Sequence, residues 1–247
     1  MLCLTGNENS NRKLLERLLA PLDYPQPLVY EVRADLLNES PDFAGIFDSG
    51  SRIIFTCRSK RQGGAFTGGE GERSALIEKA IEHNAWAIDI ELDTAPELRE
   101  RLVKKARARG VKVILSQHSS ETCSDINAAI ARLCATDADI YKFVAPVTDS
   151  SELCDWLDIE NDGRLILIAS GAAGQLTRFW FRRFASPFTY VAMDETRATA
   201  EFQPTLADVR NGRIMLDDGC DTFLILGGSQ IIKNVSDRKS TRLNSSH

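Results

Sequence analysis

AWAIDIELDTAPELRERLVKKARARGVKVILSQH, residues 85–118, contains one short apolar run, one helical pattern and a second apolar run. The first run spans Ala87 to Leu92. The segment APELRERLVKKARARG (95–110) then spaces its apolar residues three and four apart and closes on Gly110, and the second run occupies Val111 to Leu115. A strand-length run, a helical period and another strand-length run describe a βαβ unit, in which the two strands must be parallel. The same alternation extends outward in both directions. Runs at Leu2 to Thr5, Leu28 to Val32, Ile53 to Cys57, Ile140 to Val144, Leu165 to Ala169 and Phe188 to Ala192 bring the total to eight, with starts 23 to 34 residues apart by subtraction. Between them lie further amphipathic segments, SNRKLLERLLAPL, GERSALIEKAIEHNA, CSDINAAIARLCATDA and QLTRFWFRRFAS, several of them preceded by Ser, Thr or Asp as an N-cap. Eight such units predict an α/β protein built as a closed (β/α)8 TIM barrel over residues 1–212.

The composition agrees with a single large barrel. With 247 residues, 43% hydrophobic and 26% charged, the chain lies at globular values, which excludes a collagen, a coiled coil or bulk disorder. A net charge of -5 supplies no attraction to polyanions, so no nucleic-acid partner is expected. No apolar run has membrane-spanning length, and MLCLTGNENS lacks the features of a signal peptide, so no membrane partner and a cytoplasmic location are expected. Cys3, Cys57, Cys123, Cys134, Cys154 and Cys220 show no metal-ligand spacing and read as reduced structural thiols.

In a barrel of this kind the chemistry sits where strands end and loops begin. Reading those ends in order yields Glu31, Arg33 and Asp35, then Arg58, then Asp89 and Glu91, then His118 in LSQHSS, then Lys142 in DIYKFVAPV, then Arg178. Lys142 is the most informative, because an ammonium in an apolar strand is costly unless paired or used. Burial and neighbouring cations lower a lysine pKa, and the free amine can attack a ketone to form a Schiff base. The structural alternative is a lysine that snorkels from the strand end or pairs with a carboxylate such as Glu91. His118, one of three histidines, lies one strand earlier and could shuttle a proton across the same barrel mouth.

The succession EVRADLL, TCR followed by Gly-Gly, AIDIEL, LSQH, DIYKF, GQLTR and a Thr-Ala-x-x-Gln loop resembles type I 3-dehydroquinate dehydratase over about the first 210 residues. The resemblance implies a (β/α)8 lyase of the shikimate pathway, in which Lys142 forms an imine with the ketone and His118 carries the protons. It also implies substrate-binding roles for Glu31, Arg33, Arg58, Arg178, Thr199 and Gln203. Arg178 would take the substrate carboxylate, which a bidentate guanidinium fits better than an ammonium does. The implied partner is the small molecule 3-dehydroquinate, with a homodimer as the expected assembly. No metal and no organic cofactor is implied.

Three positions depart from the family pattern. Gln62 stands where a glutamate orients and charge-balances the histidine, and Phe202 replaces a glycine in a closing loop that also carries Glu201. The methionine-containing wall of strand seven gives way to IASGAAG. These departures keep two alternatives open: a decayed or ligand-binding barrel without turnover, and another class I Schiff-base aldolase or lyase. Beyond the barrel, TLADVRNGRIMLDD reads as a last helix and turn, and TFLILGGSQIIKNVS resembles the opening of a shikimate dehydrogenase domain. Residues 213–236 are therefore expected to be a linker and the start of a truncated second domain. DRKSTRLNSSH, residues 237–247, reads as a non-native tail, and no G-x-G-x-x-G supports NADP binding.

Overall fold

A computed structural model of the chain describes residues 1–22, 28–211 and 214. The expected linker, second-domain start and tail, with Cys220, lie outside the described residues apart from Ile214. Among the described residues eight strands are present: β1 Leu2–Thr5, β2 Leu28–Arg33, β3 Ile53–Thr56, β4 Ala87–Glu91, β5 Lys112–His118, β6 Ile140–Pro146, β7 Leu165–Ser170 and β8 Thr189–Ala192. Every ladder is parallel, and the strands neighbour one another in the order β7-β6-β5-β4-β3-β2-β1-β8. Helices α1 Asn11–Leu19, α2 Phe43–Asp48, α3 Glu70–Glu82, α4 Pro96–Ala108, α5 Ile126–Cys134, α6 Leu153–Leu157, α7 Gln175–Phe179 and α8 Leu206–Arg210 follow the strands in turn. The expected TIM barrel is the fold, in a nearly closed form.

The period of two along each strand divides the core. Val113, Leu115, Tyr141, Phe143, Leu165 and Leu167 point outward into the layer beneath the helices, whereas Ile114, Ile140, Ile166, Val29, Ile54 and Tyr190 form a separate cluster inside the barrel. Lys142 shares its parity with Ile140 and Val144, so it belongs to the interior.

No ladder joins β7 to β8 among the described residues, and side chains satisfy the backbone there instead. Leu167 N donates to Ser186 Oγ at 3.1 Å and Ala169 N donates to Thr177 Oγ1 at 2.9 Å. Two hydroxyls thus occupy the edge of β7 that an eighth strand would otherwise pair with. This use of Ser186 explains why QLTRFWFRRFAS is not one helix. Helix α7 stops at Phe179, and the turns that follow bury Phe181 in one cluster and Phe184 in another, with Ala185 at a φ of 49° just before Ser186.

The helix ends agree with the sequence. Ser10, Asp42, Asp125 and Thr205 accept hydrogen bonds at N-caps, and Gly110 follows α4 at a φ of 68°. Strand β5 ends at His118, the strand end read from LSQHSS, because pairing with β6 continues to His118↔Val144. One expectation needs correction. Cys134 and Cys154 are exposed rather than structural, while Cys3 and Cys57 are buried; the described cysteines are free.

Candidate active site

The inward parity of the strands changes character toward their C-terminal ends. Below lie Val29, Ile54, Ile114, Ile140 and Ile166; above them, two residues on, stand Glu31, Thr56, Ser116, Lys142 and Ile168. A cavity of about 190 Å³ opens over this polar layer. Glu31, Arg33, Arg58, Gln62, His118, Lys142, Arg178, Thr199 and Gln203 all line it, so the structure brings together every expected site residue.

Lys142 is 5% exposed. Its Nζ lies 3.6 Å from Asp89 Oδ2, 3.9 Å from Glu31 Oε1 and 4.1 Å from the centroid of the Tyr190 ring. Glu91, suggested by sequence as its counter-ion, instead accepts from Arg58 Nη1 at 3.4 Å and pairs with Arg73 at 3.2 Å. Burial lowers the lysine pKa, with Arg58 assisting, and Asp89 and Glu31 oppose that shift. Glu31 is held in turn by the hydroxyls of Thr5 at 2.7 Å and Thr56 at 3.0 Å.

His118 faces the same cavity with its Nδ1 buried and, among the described residues, without a hydrogen-bond partner. Burial drives its pKa well below the usual imidazole range, and Arg58, Lys142, Arg33 and Arg178 push in the same direction. The imidazole is therefore neutral at physiological pH and able to accept a proton. Gln62 was expected at the ring. Its Oε1 accepts instead from the His118 main-chain N–H at 2.9 Å, and its Nε2 donates to Asp93 Oδ1 at 2.7 Å. The glycines after Gln62 shape this turn: Gly63 has a φ of 77°, and a Cβ on Gly64 would come within 2.2 Å of the Arg58 carbonyl oxygen.

The arginines divide into anchored and available groups. Arg33 makes a two-pronged pair with Asp35 at 2.9 and 2.7 Å, and Arg58 is held by Asp89 and Ser116, each at 2.8 Å. Arg178, on α7, has no side-chain hydrogen bond among the described residues, and burial pulls its pKa down to about 10, which leaves it a cation at neutral pH. The start of α7 is fixed by Gly174, where a Cβ would lie 2.4 Å from the Ala169 carbonyl oxygen. Thr199 and Gln203 pair across the loop after β8, through Thr199 N at 2.8 Å and Thr199 Oγ1 at 3.1 Å to Gln203 Oε1. Phe202, 42% exposed, takes a φ of 55°, so the loop keeps a left-handed turn without a glycine.

Sequence reasoning passed over Asp89 as a site residue and missed Tyr190 altogether. Asp89 was legible as a strand-end acid, but its contact with Lys142 crosses from β4 to β6 and no spacing signals it. Tyr190 looks like ordinary strand hydrophobicity. The replaced wall of strand seven is also only partly lost, since Ile168 still lines the cavity and Ser170 is the small residue beside it.

A family model described as type I 3-dehydroquinase matches residues 11–217. The chain belongs to the type I 3-dehydroquinase family. Among its relatives, a 3-dehydroquinate dehydratase from Dehalococcoides mccartyi is 33% identical over 187 residues, which cover 73% of this chain and 82% of that one. A chloroplastic bifunctional 3-dehydroquinate dehydratase/shikimate dehydrogenase from Arabidopsis thaliana is 29% identical over 161 residues, covering 63% of this chain and 26% of that longer one. The solved type I 3-dehydroquinate dehydratase from Clostridium difficile shares the fold with a TM-score of 0.75 at 18% identity, over 86% of this chain and 90% of that one. In this type I 3-dehydroquinase family member, the polar floor and the cation-rich rim of the cavity thus occupy the C-terminal mouth of the barrel. Among the described residues no helix is long and apolar enough to cross a membrane.

Proposed function

We propose that the chain dehydrates 3-dehydroquinate to 3-dehydroshikimate, a step of the shikimate pathway, through an imine on Lys142. Membership of the type I family supports the reaction, and the assignment of roles rests on one observation: a buried lysine of lowered pKa and a neutral imidazole line the same cavity. The free amine of Lys142 adds to the C3 ketone, and loss of water leaves an iminium that acidifies the C2 proton. His118 takes that proton, giving an enamine. The imidazolium then protonates the C1 hydroxyl as it leaves, so one water departs and His118 returns to its neutral form. Hydrolysis of the conjugated iminium releases product and restores the amine.

Arg178 is the group assigned to the substrate carboxylate, because among the described residues it is the cavity arginine without a protein hydrogen-bond partner. Arg58 and Arg33 are held by carboxylates and contribute positive potential, while Glu31, Thr199 and Gln203 are placed to meet the ring hydroxyls. The fused relative supports reading residues 213–236 as the approach to a shikimate dehydrogenase domain. A homodimer remains part of the same reading, to be tested by sedimentation.

Intact mass after incubation with 3-dehydroquinate and borohydride tests the scheme, since reduction converts an imine into a stable adduct. The adduct is expected on the peptide holding Lys142, and Lys142→Ala is expected to abolish both adduct and turnover. A folded Lys142→Ala protein with normal dehydration activity overturns it.

A further inference from the structure

We infer that Asp93 is a positioning residue for His118, acting through the side-chain amide of Gln62. The inference rests on the proposed role of His118 and adds a residue outside the cavity to it. The geometry is a line of three groups from three successive turns of the barrel mouth. Asp93 stands just after β4, Gln62 in the short turn after β3, and His118 at the end of β5.

The reason for the line is a missing strand neighbour. Strand β4 ends at Glu91, and the last bond from that side of the chain is Leu92 N to the Ser116 carbonyl at 2.8 Å. Strand β5 continues two residues further, so the main-chain N–H of His118 faces a place that β4 no longer fills. Gln62 Oε1 fills it at 2.9 Å. An amide can present either end to a neighbour, and only the oxygen can accept this N–H. Asp93 decides the orientation, because its carboxylate accepts from Nε2 at 2.7 Å and would repel the oxygen. Gln62 is 8% exposed, so water competes poorly for either end.

The ring of His118 has no comparable support. Among the described residues its Nδ1 is buried without a partner, and the charged groups that push its pKa down are the cations Arg58, Lys142, Arg33 and Arg178. Its placement therefore depends on the backbone from which it projects, on one side the ladder to β6, where Ser119 N donates to the Val144 carbonyl at 2.8 Å, and on the other side Gln62. Arg61 also reaches Asp93, at 3.5 Å, but its side chain is 64% exposed there and that pair adds little. Proton transfer is sensitive to small displacements of the base, whereas imine formation on Lys142, held by β6, is not coupled to this line.

The test is steady-state kinetics on Asp93→Ala, Asp93→Asn, Gln62→Ala and the Asp93→Ala/Gln62→Ala double variant, with borohydride trapping of each. Asp93→Ala is expected to lower kcat about tenfold, the loss of one charge-assisted hydrogen bond, with KM and the trapped imine unchanged. Asp93→Asn, which keeps the acceptor, is expected to restore most of the activity. In the Gln62→Ala background the Asp93→Ala change is expected to have no further effect. Unchanged kcat in Asp93→Ala, or an equal loss in both backgrounds, overturns the inference. Failure of the wild-type protein to turn over or form the imine overturns the proposed function instead.

Discussion

Asp89 faces two buried cations, Arg58 and Lys142, and replacing it with alanine should expose their dependence on it. The residue is 1% exposed; its carboxylate accepts from Arg58 Nη2 at 2.8 Å and from Ser116 Oγ at 2.5 Å, and it lies 3.6 Å from Lys142 Nζ. Asp89→Ala leaves a guanidinium and an ammonium in the interior with Glu31 and Glu91 as the remaining anions. Removing one partner of a buried pair costs about 3–5 kcal/mol, and the two remaining carboxylates place this variant near the lower end, about 3 kcal/mol. For a chain of this size that corresponds to a fall in Tm of roughly 6–12 °C. Asp89→Asn keeps an acceptor but loses the charge, and roughly 1–2 kcal/mol is expected. Urea and thermal unfolding followed by circular dichroism measure both. Asp89 also opposes the lowering of the Lys142 pKa, so in Asp89→Asn the pH profile of borohydride trapping should move to lower pH. A loss below about 1 kcal/mol in Asp89→Ala, or equal losses in the two variants, refutes the argument, because a buried, charge-bearing hub cannot be that cheap to remove.

Three further outcomes follow from the same geometry. The folded protein disfavours protonated His118, so the unfolded chain binds more protons below the free imidazole pKa of about 6.5, and stability should fall as pH drops below that value. Unfolding between pH 7 and pH 5 should show a smaller loss in His118→Ala; an identical pH slope counts against the cause given. Gln62→Glu places a second carboxylate where Nε2 now donates to Asp93, so it should destabilise by roughly 1–2 kcal/mol, recovered by adding Asp93→Asn. Recovery absent in the double variant would show that the two residues do not meet. Phe202→Gly relieves a left-handed aromatic residue at the cost of a freer unfolded chain, for a net gain of roughly 0.5 kcal/mol that Phe202→Ala should not share, read from Tm.

Much of the molecule was legible in the order of its residues. Alternation of strand-length apolar runs with helical periods determines a (β/α)8 barrel, because each amphipathic element can bury its apolar face only against a parallel sheet. Polar residues at the ends of those runs mark the mouth, and a lysine inside DIYKFVAPV is out of place unless it is paired or used. The nine residues read from strand ends and from the family resemblance do converge on one cavity. What the order could not determine is which of them touch. Lys142 pairs with Asp89 and Glu31 rather than Glu91 although 89 and 91 share the inward parity of β4, because Glu91 is taken up by Arg58 and by Arg73 on α3. Gln62 grips a main-chain N–H rather than the ring because β4 stops short of His118. Likewise the aromatic segment after Arg178 bends out of helix because Ser186 is needed at the edge of β7. Local periodicity determines which elements form and which faces they bury. The closure of the ring, with its stagger and its strand ends, decides the contacts between residues far apart in the chain, and with them the charges that tune Lys142 and His118.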